Sequence, residues 1–378
     1  MIRDANWLDE TWQKLCTKMK AECARVGTNM PYIPRDGRYH DLDGYDISAW
    51  INGFWPGMLW QMYRATGDAA YRTAAEGVEA RMRPILTDHF LSMDHDTGFL
   101  WLHTAVANYR LTENRQSFIN GLHAANVLAG RFNPAGEFIR AWGSEKNTAD
   151  RAGWMIIDCL MNLPLLYWAS RETGDPRFAQ VATRHTDTAL RVLLRPDGST
   201  HHIAALDPAT GALAGYPDCQ GYAPESAWSR GQAWAVYGMT LAYKYAGKPE
   251  YLDAAKRSAN YFIANVAATG YVPLADFRAP ATPVLYDTSA GACAACGLLE
   301  LAALLGACEG AVYEDAAWQL LKALDAKHAN WDPDVDSILA QGCVAYHSKT
   351  QTDVPLIYAD YFFIEAVTRL KQNGFMIW

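Results

Sequence analysis

Gly67-Asp68-Ala69-Ala70-Tyr71, Gly174-Asp175-Pro176-Arg177-Phe178 and Gly247-Lys248-Pro249-Glu250-Tyr251 are three copies of one punctuation. In each, a glycine closes an apolar periodic stretch, a short turn follows, and an aromatic stands in the first turns of the next stretch. Glycine suits the left-handed position just past a helix C-terminus, and Asp or Pro suits the start of the helix that follows. A weaker copy surrounds Glu309 to Tyr313. The pattern predicts helix hairpins repeated along the chain, which pack as a stacked or closed array.

Outward from these turns, apolar residues recur at three- and four-residue steps over 7–26, 53–66, 69–86, 98–111, 114–130 and 152–172. They do so again over 176–194, 228–246, 249–265, 288–306, 312–328 and 355–371. Twelve helices make six hairpins, the number that closes an all-α (α/α)6 barrel. An open solenoid would use the same hairpins at a more regular period. Strand-like patterns at His201 to Leu206 and Tyr271 to Leu274 are short enough to be hairpin pieces in loops. No Ser/Gly-rich linker interrupts the sequence, so residues 1–378 read as one domain. The apolar helices 152–172, 228–246 and 288–306 are expected in an inner ring, and the more charged 69–86, 176–194 and 249–265 in an outer one. Loops entering the inner helices then line a central cleft.

Composition narrows the function. A formal charge of −8 argues against a nucleic-acid partner. The start, MIRDANWLDETWQKL, has no apolar region or cleavage site of a secretory signal. The run from Trp154 to Trp168 is broken by Asp158 and Asn162, so no membrane span is expected. Eight irregularly spaced cysteines do not form a disulfide framework, and a reducing cytoplasm is the simplest reading. Fourteen Trp and twenty Tyr suit a carbohydrate cleft, although aromatics also fill large cores.

Three constellations could carry chemistry. Asp94-His95-Asp96-Thr97-Gly98-Phe99 precedes a helix; an acid there caps free N–H groups, but one would suffice. Asp-His-Asp is also a metal fragment, yet no second ligand cluster accompanies it, so no metal is expected. Asp158 lies in the apolar stretch Gly153 to Pro164, where a carboxylate needs a partner or a raised pKa, as a general acid does. In Ser226 to Trp234, Arg230 and Trp234 are four residues apart and share a helix side. Arg offers a bidentate fork for a carboxylate and Trp a stacking platform; a surface Arg over a packed Trp would look the same. His201 and His202 point to opposite faces of a strand, so both cannot serve one site. Cys293-Ala294-Ala295-Cys296 has redox-motif spacing in an Ala/Leu-rich helix, where it reads as core.

Phe54-Trp55-Pro56-Gly57-Met58-Leu59-Trp60, His95-Asp96-Thr97-Gly98-Phe99, the block Ile156 to Leu166, Trp228-Ser229-Arg230-Gly231-Gln232-Ala233-Trp234 and Asp287-Thr288-Ser289-Ala290 occur in that order. Together they resemble the unsaturated glucuronyl hydrolases of glycoside hydrolase family 88, over roughly residues 50 to 370. The resemblance implies an (α/α)6 barrel without metal or organic cofactor. It implies substrates left by polysaccharide lyases, oligosaccharides ending in a 4-deoxy-4,5-unsaturated uronate. The C4=C5 enol ether is protonated at C4 and hydrated at C5, and the resulting hemiketal opens and releases the next sugar. Carried over, Asp158 resembles the carboxyl that protonates C4 and Asp96 the second essential carboxylate. Arg230 and Trp234 match substrate-binding positions, as do His202 and Gln220, and Trp50 and Trp142 resemble aromatic subsite walls. Asn52 stands where an acid is usual before Gly-Phe-Trp. The loop Tyr216-Pro217-Asp218-Cys219 replaces small and hydroxyl residues, and Asp218 could disfavour an anionic neighbouring sugar.

Competing readings are an unsaturated rhamnogalacturonyl hydrolase acting on pectin fragments, a sugar epimerase on the same toroid, and a non-enzymatic sugar-binding toroid. The epimerase would rely on paired catalytic His rather than Asp. A monomer or homodimer is expected, with the oligosaccharide as its partner.

Overall fold

The computed structural model describes residues 4–42, 46–142, 151–217 and 220–378. Among these, the chain forms twelve helices. They are α1 (Ala5–Val26), α2 (Phe54–Thr66), α3 (Ala69–Met82), α4 (97–112), α5 (Arg115–Gly130) and α6 (Pro164–Thr173). The second half adds α7 (Pro176–Val192), α8 (Ser229–Ala246), α9 (Pro249–Ala267), α10 (Thr288–Glu309), α11 (Ala311–His328) and α12 (Ile357–Leu370). Within α4, the turns Leu102–Val106 are π-helical.

Even-numbered helices form the inner ring. Residues 54–62 of α2, 229–242 of α8, 288–301 of α10 and 357–368 of α12 are buried without interruption. A helix enclosed on every side has no polar face to display. Odd-numbered helices bury one stripe each, as α9 does with Tyr251, Ala254, Ala255, Ser258, Ala259, Phe262 and Val266. α8 packs on α10, α10 on α12, and α12 on α2. One contiguous apolar core runs from Leu8 to Trp378.

The repeated turns do what their residues dictate. Gly67, Gly174 and Gly247 have φ of 74°, 71° and 68°, and each returns its N–H to the helix it ends. Asp68 and Asp175 accept the amide hydrogens of Ala70 and Arg177 and so start α3 and α7. At the weaker copy the left-handed glycine is Gly306, inside α10, while Gly310 has an ordinary φ of −72°.

Two segments differ from the sequence expectation. Residues 152–172 are not one helix: after the antiparallel pair β1 (Phe132–Asn133) and β2 (Phe138–Ile139), a strand β3 (Trp154–Ile156), a 3-10 turn (Ile157–Met161) and then α6 follow one another. An unbroken apolar run does not distinguish strand from buried helix, and here β3 pairs with β4 (Ile203–Leu206), itself paired with β5 (Leu213–Gly215). Residues 271–274 form no strand, only a single bridge from Leu274 to Tyr286; Pro273 has no amide hydrogen to extend it. The expected strand at 201–206 is present in part, as β4 over Ile203–Leu206.

Helix α10 is long and apolar enough to cross a membrane, but its apolar length is mostly enclosed in the barrel. Past α12, the chain turns under the barrel. Trp378 ends up among α4, α8 and α12, three alternate inner helices, which places it on the barrel axis.

Candidate active site

The helix pairs α2/α3, α4/α5, α6/α7 and α8/α9 are each joined by two residues, and α10/α11 by one. At the other end, longer connections (27–53, 83–96, 131–163, 193–228, 268–287 and 329–356) lead into the inner helices. Every described candidate residue except Arg230 and Trp234 lies in one of these long connections, and those two stand in the first turns of α8.

Asp158 occupies the 3-10 turn between β3 and α6. Its side chain is 15% exposed and its Oδ1 is buried without a hydrogen bond. Burial pushes its carboxyl up to about 7, against the pull of the Arg230 charge. The Trp234 indole N–H leans on the same carboxyl without completing a hydrogen bond. His202, at the head of β4, brings Nε2 to 3.7 Å from Asp158 Oδ1. Its Nδ1 accepts the Gln220 amide hydrogen (3.3 Å), which leaves the proton on Nε2, facing Asp158. Burial and Arg230 hold this imidazole neutral, its pKa down to about 3.

Asp96 precedes α4 but does not cap it: its side chain bonds none of the free helix amides. Asn162 does that from the start of the neighbouring inner helix α6, its Oδ1 accepting the Phe99 N–H (2.7 Å). The same amide donates Nδ2 to Asp96 Oδ1 (3.1 Å) and to the Asp158 carbonyl (3.3 Å). Asn162 thus ties the Asp96 carboxyl to the backbone of the turn that carries Asp158. Gly98 makes this possible, since a Cβ there would stand 2.5 Å from Asn162 Cα. Burial, with the neighbouring charges of Asp94 and Asp158, raises Asp96 well above the usual carboxylate range. Asp94 holds the loop by accepting the Asp96 amide hydrogen (2.8 Å), and burial raises it to about 6. His95 Nε2 lies 3.5 Å from Asp96 Oδ2, and burial with the Arg131 charge keeps it neutral. The ligand atoms of Asp94, His95 and Asp96 lie within 4.8 Å of one another, but both carboxylates already serve as acceptors within the site.

Arg230 is buried, and its fork is largely occupied. Nη1 reaches Asp287 Oδ2 and the Cys343 carbonyl, both at 2.5 Å, and Nη2 the Val344 carbonyl at 2.7 Å. Its guanidinium lies over Trp228 (4.6 Å) and Tyr358 (5.2 Å). Asp287 caps α10 through the Ser289 amide and so ties Arg230 to a helix start. Gln220 Nε2 joins the same Val344 carbonyl (2.8 Å). Trp234 offers no open stacking face: it is fully buried between Phe99 (5.4 Å) and Phe362 (5.6 Å), because α8 is an inner helix. Trp50 and Trp142 remain partly open. Trp50 packs on Phe99 and Tyr358, and Trp142 stands edge-on to His95. Asp218 lies outside the described residues.

His201 turns away from the site and stacks on Tyr216, and Cys293 and Cys296 are core. Asn162 and Asp287 lie in quoted blocks of the sequence but had no role at the site assigned to them, and Tyr358 was passed over. Asp287 had a usable signal, an acid directly before Thr288-Ser289 at a helix start.

The geometry therefore assembles a carboxyl poised near neutrality, a second carboxyl tied by one amide to the backbone of the first acid, a neutral imidazole and a fixed cation. The sequence pattern described as Glycosyl Hydrolase Family 88 matches residues 24–344. An unsaturated glucuronyl hydrolase of Bacillus sp. (strain GL1) is 36% identical over 94% of each chain. An unsaturated chondroitin disaccharide hydrolase of Streptococcus pyogenes serotype M1 is 32% identical over 94% of this chain and 90% of that one. The crystal structure of the unsaturated glucuronyl hydrolase "responsible for the degradation of glycosaminoglycan" from Bacillus sp. GL1 superposes with a TM-score of 0.89. It covers 96% of this chain and 97% of its own at 35% identity.

Proposed function

The chain belongs to glycosyl hydrolase family 88, and from that premise we propose that it releases the 4-deoxy-4,5-unsaturated uronate from the non-reducing end of lyase-generated oligosaccharides. The observation that carries this reading is Asp158, a carboxyl raised to about 7 whose backbone carbonyl shares the Asn162 amide with the Asp96 carboxyl.

In the proposed reaction, protonated Asp158 delivers its proton to C4 of the enol ether. Positive charge develops at C5 and the ring oxygen, and the Asp158 carboxylate left by the proton transfer stabilises it electrostatically. Water adds at C5 and gives up a proton, which restores the acid form of Asp158. The hemiketal then opens, the C1–O bond breaks, and the next sugar leaves with its hydroxyl restored. His202 Nε2–H supports the Asp158 carboxylate left after transfer. Asp96 acts on the uronate 2-hydroxyl or the water. Arg230, with Asp287 compensating part of its charge, faces the uronate carboxylate, and Trp50 and Trp142 flank the sugars. The reading includes a reducing cytoplasm, consistent with the seven described cysteines being unbridged.

The test is loss of the ultraviolet absorbance of C4=C5 unsaturated disaccharides from chondroitin, hyaluronan, heparin, gellan, xanthan and pectin. At least one should be bleached by the purified protein without added metal. Silence across the panel, or abolition by chelator, would overturn the proposal; bleaching of the pectin fragment alone would move it to the rhamnogalacturonyl reaction.

A further inference from the structure

The segment after α12 is built into the barrel rather than laid on it. Phe375 exchanges two hydrogen bonds with Gln61 of α2: Nε2 to its carbonyl (2.6 Å) and its amide to Oε1 (3.0 Å). Arg110 of α4 donates Nη1 to the carbonyls of Met376 (2.7 Å) and Ile377 (2.9 Å). These clamps deliver Trp378 to the axis, where it is 1% exposed.

There the indole meets both chemistry below and aromatic rings above. Nε1 donates to Glu365 Oε2 (2.8 Å), a carboxylate that also accepts from the hydroxyls of Tyr361 and Tyr237. The ring stacks on Phe362 (6.0 Å, 9°) and meets Phe99 edge-on (5.9 Å). Phe99 and Phe362 are the same two rings that enclose Trp234, and Phe99 also carries Trp50. One aromatic layer therefore separates Trp378 from the indole that leans on Asp158 and from the half-open wall Trp50.

We propose that Trp378 is a positioning residue of this active site. It supports Phe99 and Phe362 from beneath, and through them holds Trp234 against Asp158 and Trp50 at the sugar wall. Close packing transmits this support: neighbours of a deleted core ring collapse only partly, and small displacements at reacting groups cost large factors in rate. The aromatic volume does the positioning, whereas the bond to Glu365 contributes stability. The inference rests on the function proposed above, with Asp158 as the acid.

The experiment compares Trp378→Ala and Trp378→Phe with the wild-type chain on a disaccharide the latter bleaches. Wild-type turnover establishes the reaction, so failure of that reading shows in the control and failure of this inference shows only in the variants. For folded Trp378→Ala we expect kcat to fall by ~10-fold or more. Trp378→Phe should melt lower, for want of the bond to Glu365, yet keep kcat within about 3-fold of wild type. Adding free indole to the Ala variant should recover much of kcat, because apolar cavities take up matching aromatic molecules. Wild-type kcat in folded Trp378→Ala would overturn the inference, as would equal loss in both variants with no response to indole. If the Ala variant does not fold, Trp378→Leu takes its place with the same outcomes: reduced kcat restored by Phe supports the role, and unchanged kcat ends it.

Discussion

An amide in place of the Asp158 carboxyl changes two properties in opposite directions. Asp158→Asn should remove nearly all turnover, because it has no proton to give to C4. It should also stabilise the fold at alkaline pH. The folded carboxyl titrates near 7 and the unfolded one near 3.8, so the folded state binds the extra proton and loses stability as pH rises between those values. The Asn variant escapes that loss, and its advantage, on the order of 1–3 kcal/mol, should appear in melts at pH 8 and vanish near pH 4. A folded variant retaining a tenth of wild-type rate would remove Asp158 from the role of acid. In the wild type, turnover should fall as pH rises past about 7, where the donor is lost. A rate still climbing at pH 9 would contradict the assignment. Arg230→Lys keeps the charge but cannot reach Asp287 and the carbonyls of Cys343 and Val344 together. Its kcat/KM should drop, and wild-type efficiency in a folded variant would make Arg230 purely structural.

At the scale of elements, two glycines make opposite predictions. Gly247 has φ of 68° with open space around it, so Gly247→Ala should cost about 1 kcal/mol through backbone strain and leave kinetics untouched. A Cβ on Gly98 would stand 2.5–2.7 Å from Asn162 atoms, so Gly98→Ala must push α4 away from the 3-10 turn that carries Asp158. It should impair turnover more than any of the left-handed glycines, measured as kcat against Tm. The hairpin turns were legible in sequence because Gly, Asp and Pro act locally: each satisfies its own neighbours, whatever the rest of the chain does. The segment 152–163 was not legible, since apolarity on every side erases the period that separates strand from helix. Both acids could be picked out as isolated carboxylates in apolar or helix-entry context. Asn162, 66 residues from Asp96, could not, because its role exists only once two connections meet. For the same reason Arg230 looked available in sequence, while its partners wait at Asp287 and beyond position 340.

At the scale of the whole molecule, one core joins the helices, and unfolding should be a single transition. Far-ultraviolet dichroism and tryptophan fluorescence should give coincident midpoints; two separated midpoints would mean that part of the ring stands alone. The unequal connections at the two ends have a further consequence for how such a molecule can change. Where two residues join consecutive helices, one inserted residue takes the glycine out of register with its left-handed position, and the hairpin is lost. Where fourteen or more residues join them, lengthening costs only a slowly rising closure entropy. Insertions are therefore tolerated on one side of the disc and rejected on the other. The tolerant side carries Trp142 and the neighbourhood of Gln220, so new appetites for neighbouring sugars can accumulate there while the bundle beneath stays the same.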